Sequence, residues 1–444
     1  MITAVAYVSR QKTTTNTVPK SLKIWITDGT SDAYKPLIEG FKKYAPEYNK
    51  TDIIVEKQTN DADRYRTLIL STLTEGSGPD IFMLHSGEDA ILETKIEPIP
   101  SNILDFSDFD KRYDDIFQGL VSSTGSGKNK ISTLKGVPLS YETLGVFYNK
   151  SLIREIPKTW NELESLYRDS SSGKYPSNLG LGPTYTPNMG DILPLWLIDA
   201  GATSYSDLST GKNGLSAYLS YGDIKIPSSQ SEPADVSIVD TLRGEQPNMI
   251  STKNNTIDMF IRGNIAMIIG YPSLILDLEK ANKRAGSASA SSVILTGRIP
   301  KTISQSVINI GKYTYFGVSK LSEKGQLSAK FLQYLMTPEA QRLYMSAYPY
   351  LIPAQSEFYA SIENISLSDT LTRAKIGPFI PNIGDQLSLF QYGLKSRFDR
   401  YLSEGIDTTS TPDIESITSK ISKDIDCEIK ISIGGEQAGD CRDQ

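Results

Sequence analysis

Few residues in this chain could carry out covalent or metal chemistry. The 444 residues include one histidine, His85, and two cysteines, Cys427 and Cys441. A structural zinc site needs about four nitrogen or sulfur ligands, and zinc proteases need paired histidines, so both classes are close to excluded. A serine or cysteine hydrolase would have to build its centre on His85, and no G-x-S-x-G turn is present to serve it. Gly125-Ser126-Gly127-Lys128 has the look of a phosphate loop, but Ser122 stands where its first glycine belongs and Asn129 replaces its Ser/Thr. Residues 122–130 read instead as a polar surface loop. No cofactor is expected.

Charge removes a further class. The sum of 46 basic and 52 acidic residues is 46 − 52 = −6, so nothing resembles the basic footprint of a nucleic-acid binder. With 52 carboxylates, some pair always exists, and a two-carboxylate glycosidase cannot be read from pairing alone. The mean hydropathy of −0.28 suits a globular chain, and no run of about 18 apolar residues is present to cross a membrane. The length predicts two to three domains or lobes.

The elements that must position any site alternate between strand and helix. Leu22-Lys23-Ile24-Trp25-Ile26 reads as a strand, closed by the turn signal Asp28-Gly29. Tyr34, Leu37, Ile38, Phe41 and Tyr44 then fall on one helical face. Residues 52–56 predict a second strand, Tyr65, Leu68, Ile69 and Leu73 a second helix, and residues 80–84 a buried strand. Such βα units predict a parallel sheet covered by helices. Further on, residues 137–149 read as one long strand, and Thr159 to Glu162 as a capping box opening a helix. Residues 257–261 read as a helix, residues 265–269 as a strand, and Pro272 as the first turn of another helix. Thr337-Pro338 is expected to cap a late one.

The two ends differ from this body. Residues 1–8 are apolar and residues 9–21 polar, which reads as an export-signal or anchor stub with a tether over 1–20; an ordinary frayed terminus is the alternative. Cys427 and Cys441 flank an Ile429/Ile431/Ile433 alternation and a Gly434-Gly435 turn. A pair closing so small a loop is what an oxidising compartment permits, so a disulfide-closed tail over 427–444 is expected, with two free thiols as the alternative.

Taken in order, six segments resemble the family 1 extracellular solute-binding proteins, the maltose-binding-protein-like components of ABC importers. They are the Leu22–Ile26 strand with its helix, Gly78 to Phe82, the run Lys135 to Lys150, Pro157 to Trp160, Phe260 to Met267, and Ala329 to Leu332 through Thr337 to Ala340. The resemblance implies an α/β, two-lobed periplasmic-binding-protein fold with a ligand cleft between lobes. One lobe would hold 21–138 plus 316–350 and the other 139–315 plus 351–426. It also implies an extracytoplasmic, non-enzymatic protein, expected to be monomeric and with a candidate N-terminal membrane tether. Such a protein delivers a small solute, expected to be a carbohydrate, to ABC-transporter permease subunits. A sensor presenting the solute to a membrane receptor is the alternative within the same fold, and a carbohydrate-active enzyme the alternative outside it.

Positions matching the family's cleft-lining segments are Asp28, Gly29, Thr30, His85, Ser86, Tyr141, Glu142, Tyr185, Asp191, Tyr271, Ser273 and Asn382. A sugar needs carboxylates to accept from its hydroxyls and aromatic faces for its C–H surface. Glu142, Asp28 and Asp191 supply the first, and Tyr141, Tyr185 and Tyr271 the second. Tryptophan, frequent in family members for maltose-type sugars, is missing from these positions, which argues against long stacked oligosaccharides. Plainer roles compete: His85 as a surface group, Tyr141 as a core residue, Thr30 as a helix cap.

Overall fold

A computed structural model describes residues 18–59, 62–85, 92, 95–113, 115–125, 131–143, 145–149, 152–153, 224–226, 234–236, 253–263, 267–285, 293–296 and 311–361. The expected N-terminal stub, the 159–162 capping box with Trp160, Ser86, Tyr185, Asp191, Asn382, Cys427 and Cys441 lie outside these.

In chain order the strands are β1 (Ser21–Ile26), β2 (Asp52–Lys57), β3 (Ile81–His85), β4 (Ile99–Pro100), β5 (Val121–Thr124), β6 (Ile131–Leu134), β7 (Gly136–Thr143) and β8 (Gly145–Asn149). There follow β9 (Ile224–Ile226), β10 (Ala234–Val236), β11 (Met267–Gly270), β12 (Val293–Thr296), β13 (Gly311–Val318) and β14 (Ile352–Pro353). The longer helices are α1 (Lys35–Tyr44), α2 (Ala62–Thr74), α3 (Lys253–Ile261), α4 (Leu274–Ala285), α5 (Gly325–Leu335) and α6 (Pro338–Ala347). The chain divides into two compact units, 1–141 with 312–361, and 142–311 with 362–444.

The first unit is built on a six-stranded sheet in the order β14-β7-β13-β3-β1-β2. β1 lies parallel to both β2 and β3, as expected of consecutive strands joined through helices. The sheet is nevertheless mixed, because β13 runs antiparallel to β3 and β14 antiparallel to β7. β13 returns to the sheet only after the second unit's residues, so no βα crossover fixes its direction. The apolar face of α1 packs Leu37 and Phe41 into the core, Phe41 meeting Phe331 edge-on at 5.1 Å. Tyr44, on the expected apolar face, is instead 38% exposed and lies under the Lys330 ammonium at 4.9 Å, a cation–π contact that suits a half-wet ring. Thr337 caps α6, its hydroxyl accepting from the Ala340 N–H at 3.2 Å.

Gly78-Pro79-Asp80 has a structural task in this unit. The buried Asp80 carboxylate accepts from the Lys23 N–H (2.8 Å), the Ser322 hydroxyl (2.7 Å) and the Lys324 ammonium (2.9 Å). It therefore ties β1 to the turn that leads into α5. A carboxylate withdrawn from water needs such multiple partners.

In the second unit, β8 is flanked antiparallel by β11 and β12. The expected long strand over 137–149 is thus two strands, β7 in one sheet and β8 in another. Phe147, Ile257, Phe260, Ile261, Ile268, Leu274, Leu278 and Ala281 form the core that fixes α3 and α4 on this sheet.

Candidate functional site

In the first unit the parallel strands β1 and β3 end side by side, and their following loops carry polar groups where open α/β sheets bind ligands. Thr27, just past β1, is buried; its hydroxyl lies 2.8 Å from His85 Nε2 and 3.3 Å from Met83 Sδ. Asp28 Oδ2 stands 3.8 Å from the same imidazole nitrogen, with 41% of the Asp28 side chain exposed against 14% for His85. The threonine contact has hydrogen-bond length and the aspartate contact does not. His85 is therefore oriented by Thr27, leaving the Asp28 carboxylate partly exposed to solvent.

Gly29 turns the chain at φ 74°, a left-handed conformation that favours glycine. Thr30 precedes a single 3-10 turn, Ser31–Tyr34, and its side chain makes no capping hydrogen bond, so the plain capping role is not the one it fills. Beneath this turn sit three tyrosines. Tyr34 lies 6.3 Å from Tyr344 and 6.2 Å from Tyr348, and Tyr344 lies 4.7 Å from Tyr348, between ring centroids. Burial pushes all three phenols above their ordinary range, and the Asp28 charge acts in the same direction. They stand as neutral hydroxyls beneath a carboxylate.

Tyr141, near the end of β7, is 3% exposed and meets Phe117 edge-on at 5.7 Å. Its neighbour Glu142 begins the second unit and is half-buried. Glu142 Oε1 accepts from the Ser273 backbone N–H at 2.6 Å, at the entrance to α4. A carboxylate there meets the unpaired N–H groups and positive end of the helix. Tyr271 is 5% exposed, and its carbonyl accepts from the Leu274 N–H at 2.9 Å. Register explains the grouping: Gly270 of β11 pairs with Gly145 of β8, so the residues after Gly270 meet those before Gly145.

The structure thus brings Asp28, Gly29, Thr30 and His85 together in one unit, and Glu142, Tyr271 and Ser273 together in the other. Sequence reasoning passed over Thr27 and the tyrosines at 34, 344 and 348. Tyr344 and Tyr348 share a helical face by spacing, but nothing local ties them to Asp28. Chemically, both groups offer carboxylate acceptors beside hydroxyl and aromatic side chains, a combination suited to an uncharged, hydroxyl-rich solute.

The sequence profile described as bacterial extracellular solute-binding protein matches residues 38–370. The chain belongs to this family. As a bacterial extracellular solute-binding protein it works outside the cytoplasm, within a family made up of solute-binding proteins. It is similar to the maltodextrin-binding protein MdxE of Bacillus subtilis (strain 168), 26% identical over 275 residues that cover 59% of each chain. It is also similar to the maltooligosaccharide ABC transporter solute-binding lipoprotein of Streptococcus pneumoniae (strain ATCC BAA-255 / R6), 25% identical over 382 residues, covering 81% of this chain and 82% of that one. The crystal structure of a cyclo/maltodextrin-binding protein complexed with maltotetraose superposes with a TM-score of 0.63 at 18% identity, over 93% of this chain and 98% of that chain. The solute-binding protein therefore has the two-lobed α/β fold of the periplasmic binding proteins.

Proposed function

We propose that this solute-binding protein captures a short malto-oligosaccharide or similar carbohydrate and delivers it, unchanged, to the permease subunits of an ABC importer. The observation carrying the reading is the pair of acidic, hydroxyl-bearing groups: Asp28, Thr30 and His85 in one unit, Glu142 and Ser273 in the other. The names of the Bacillus and Streptococcus relatives support the solute class. Carboxylates bind sugar hydroxyls through charge-assisted hydrogen bonds, each worth about 1.5–3 kcal/mol. Gly29 shapes the first group, and Tyr141 and Tyr271, expected from the sequence to offer aromatic faces, are 3% and 5% exposed. Ser86, Tyr185, Asp191 and Asn382 are proposed to complete the site.

Calorimetric titration of the full chain with maltose, maltotriose and maltotetraose tests the reading directly. Saturable binding, with each sugar recovered intact by mass spectrometry, is expected. No heat with any of the three overturns the solute class, and recovery of shortened sugar overturns the non-enzymatic role.

A further inference from the structure

Two hydrogens serve three acceptors where β1 and β3 end. Met83 and His85, two positions apart on β3, both reach the Thr27 hydroxyl, and Thr27 and Met83 are 1% and 0% exposed. A thioether sulfur and a carboxylate carry no hydrogen of their own. Met83 Sδ, 3.3 Å from the hydroxyl, and Asp28 Oδ2, 3.8 Å from His85 Nε2, can therefore only accept. The hydroxyl has one hydrogen, and Met83 takes it. Its oxygen then accepts from the imidazole at 2.8 Å, which puts the ring hydrogen on Nε2. A bare Nε2 would instead turn its lone pair toward the Asp28 carboxylate.

One N–H thus faces two acceptors, and distance decides between them. Thr27 Oγ1 at 2.8 Å lies within hydrogen-bond range and Asp28 Oδ2 at 3.8 Å lies outside it. A movement of about 1 Å would bring the carboxylate into range. The bond then formed would be charge-assisted and stronger than the one to the hydroxyl, and it would occupy lone pairs that a sugar hydroxyl needs. The nearby Lys35 ammonium makes no such claim on Asp28, since it pairs with Asp32 at 2.7 Å.

We propose that Thr27 is a positioning residue for solute capture: by accepting the His85 Nε2–H, its buried hydroxyl keeps the imidazole off Asp28 and leaves that carboxylate open to a sugar hydroxyl. This rests on the carbohydrate reading for what Asp28 accepts from, but not for the partition of the N–H. Thr27 itself need touch no ligand.

His85 is the one histidine in the chain, so the imidazole nitrogen and proton resonances of the tag-free, full-length protein identify themselves. In the ligand-free wild type the neutral ring should carry its hydrogen on Nε2. Thr27→Val, which keeps the branched shape and removes the hydroxyl, should move the Nε2 proton downfield as its bond passes to the carboxylate. Adding Asp28→Asn should reverse that move. Maltotriose affinity should fall about tenfold in Thr27→Val, and by less than about twofold in Thr27→Ser, which keeps the hydroxyl. In an Asp28→Asn background, Thr27→Val should change affinity by less than about twofold. A loss of packing alone would weaken binding equally in both backgrounds and leave the Nε2 proton in place, and that result overturns the proposal. So does a wild-type ring with its hydrogen on Nδ1, or wild-type affinity in Thr27→Val. Thr27→Ala gives the same readings should the valine not be accommodated. If the wild-type protein ignores maltotriose altogether, the carbohydrate reading falls, and the resonances still decide whether Thr27 keeps His85 off Asp28.

Discussion

Glu142 and Ser273 are joined by a 2.6 Å hydrogen bond from a helix-entrance backbone N–H to a carboxylate oxygen. Residues far apart in sequence thus meet at the start of α4, and one side chain serves both helix and candidate site. Glu142→Ala should therefore lower the stability of the second unit by about 1 kcal/mol, as loss of a capping acceptor does, and also weaken sugar binding about 10- to 100-fold. Glu142→Gln, which keeps an acceptor oxygen, should restore most of the stability but less of the affinity. Denaturant unfolding beside calorimetric titration separates the two effects.

Gly29→Ala is expected to be costly for a residue in a solvent-facing turn. Its φ of 74° and the Tyr348 tip at 1.9 Å from the new Cβ both oppose it. Backbone strain alone costs on the order of 1–3 kcal/mol, and the clash adds to it. A thermal melt of the ligand-free variant should show a drop of several degrees. An unchanged melting temperature would mean that the turn and Tyr348 part readily.

Asp80→Asn should destabilise the first unit without touching affinity at saturating ligand. The substitution leaves the Lys324 ammonium, at 31% side-chain exposure, without its counter-charge, and disturbs the acceptor for the Lys23 N–H and Ser322 hydroxyl. Breaking such a pair costs about 2–3 kcal/mol once partial solvation is allowed for. Urea midpoints for the variant and wild type give the comparison.

Alkaline pH should unfold the protein. Burial pushes the Tyr113 phenol up to about 12 from an ordinary 10.0, and Tyr34, Tyr344 and Tyr348 move the same way. Between those values the unfolded chain gives up a proton that the folded chain keeps. The unfolded state therefore binds fewer protons, and stability falls as pH rises. Stability contributed by Tyr113 should be flat below pH 10 and decline by roughly 3 kcal/mol toward pH 12. Denaturation midpoints across this range, with phenolate absorbance as the titration signal, check both the sign and the window.

Local signals in the sequence carried the elements well. The β1 run, the apolar face of α1, the Asp28-Gly29 turn and the Thr337 cap each depend on residues within a few positions of one another, and each is present. Pairing between distant segments was not legible. Nothing in the 311–318 run announces that it enters between β3 and β7 and reverses the sheet's direction. Tyr141 and Glu142 show the same limit at single-residue scale. Side chains alternate along a strand, but β7 is covered on both faces, so alternation alone could not say which of the two meets Phe117 and which meets Ser273. The approach of Tyr348 to Gly29 was hidden because the two are separated by the second unit's sequence.

The strand order of the first unit also sets a clock. β13 separates β7 from β3 in the sheet, yet in the chain it follows β7 only after the intervening segment of the second unit. Until β13 emerges, the earlier strands exist as two fragments, each with an unfilled edge. At synthesis rates of about 5–20 residues per second, that interval lasts roughly 10–30 s. The first unit is in this way held open at two edges until the second unit's segment up to residue 311 has been made.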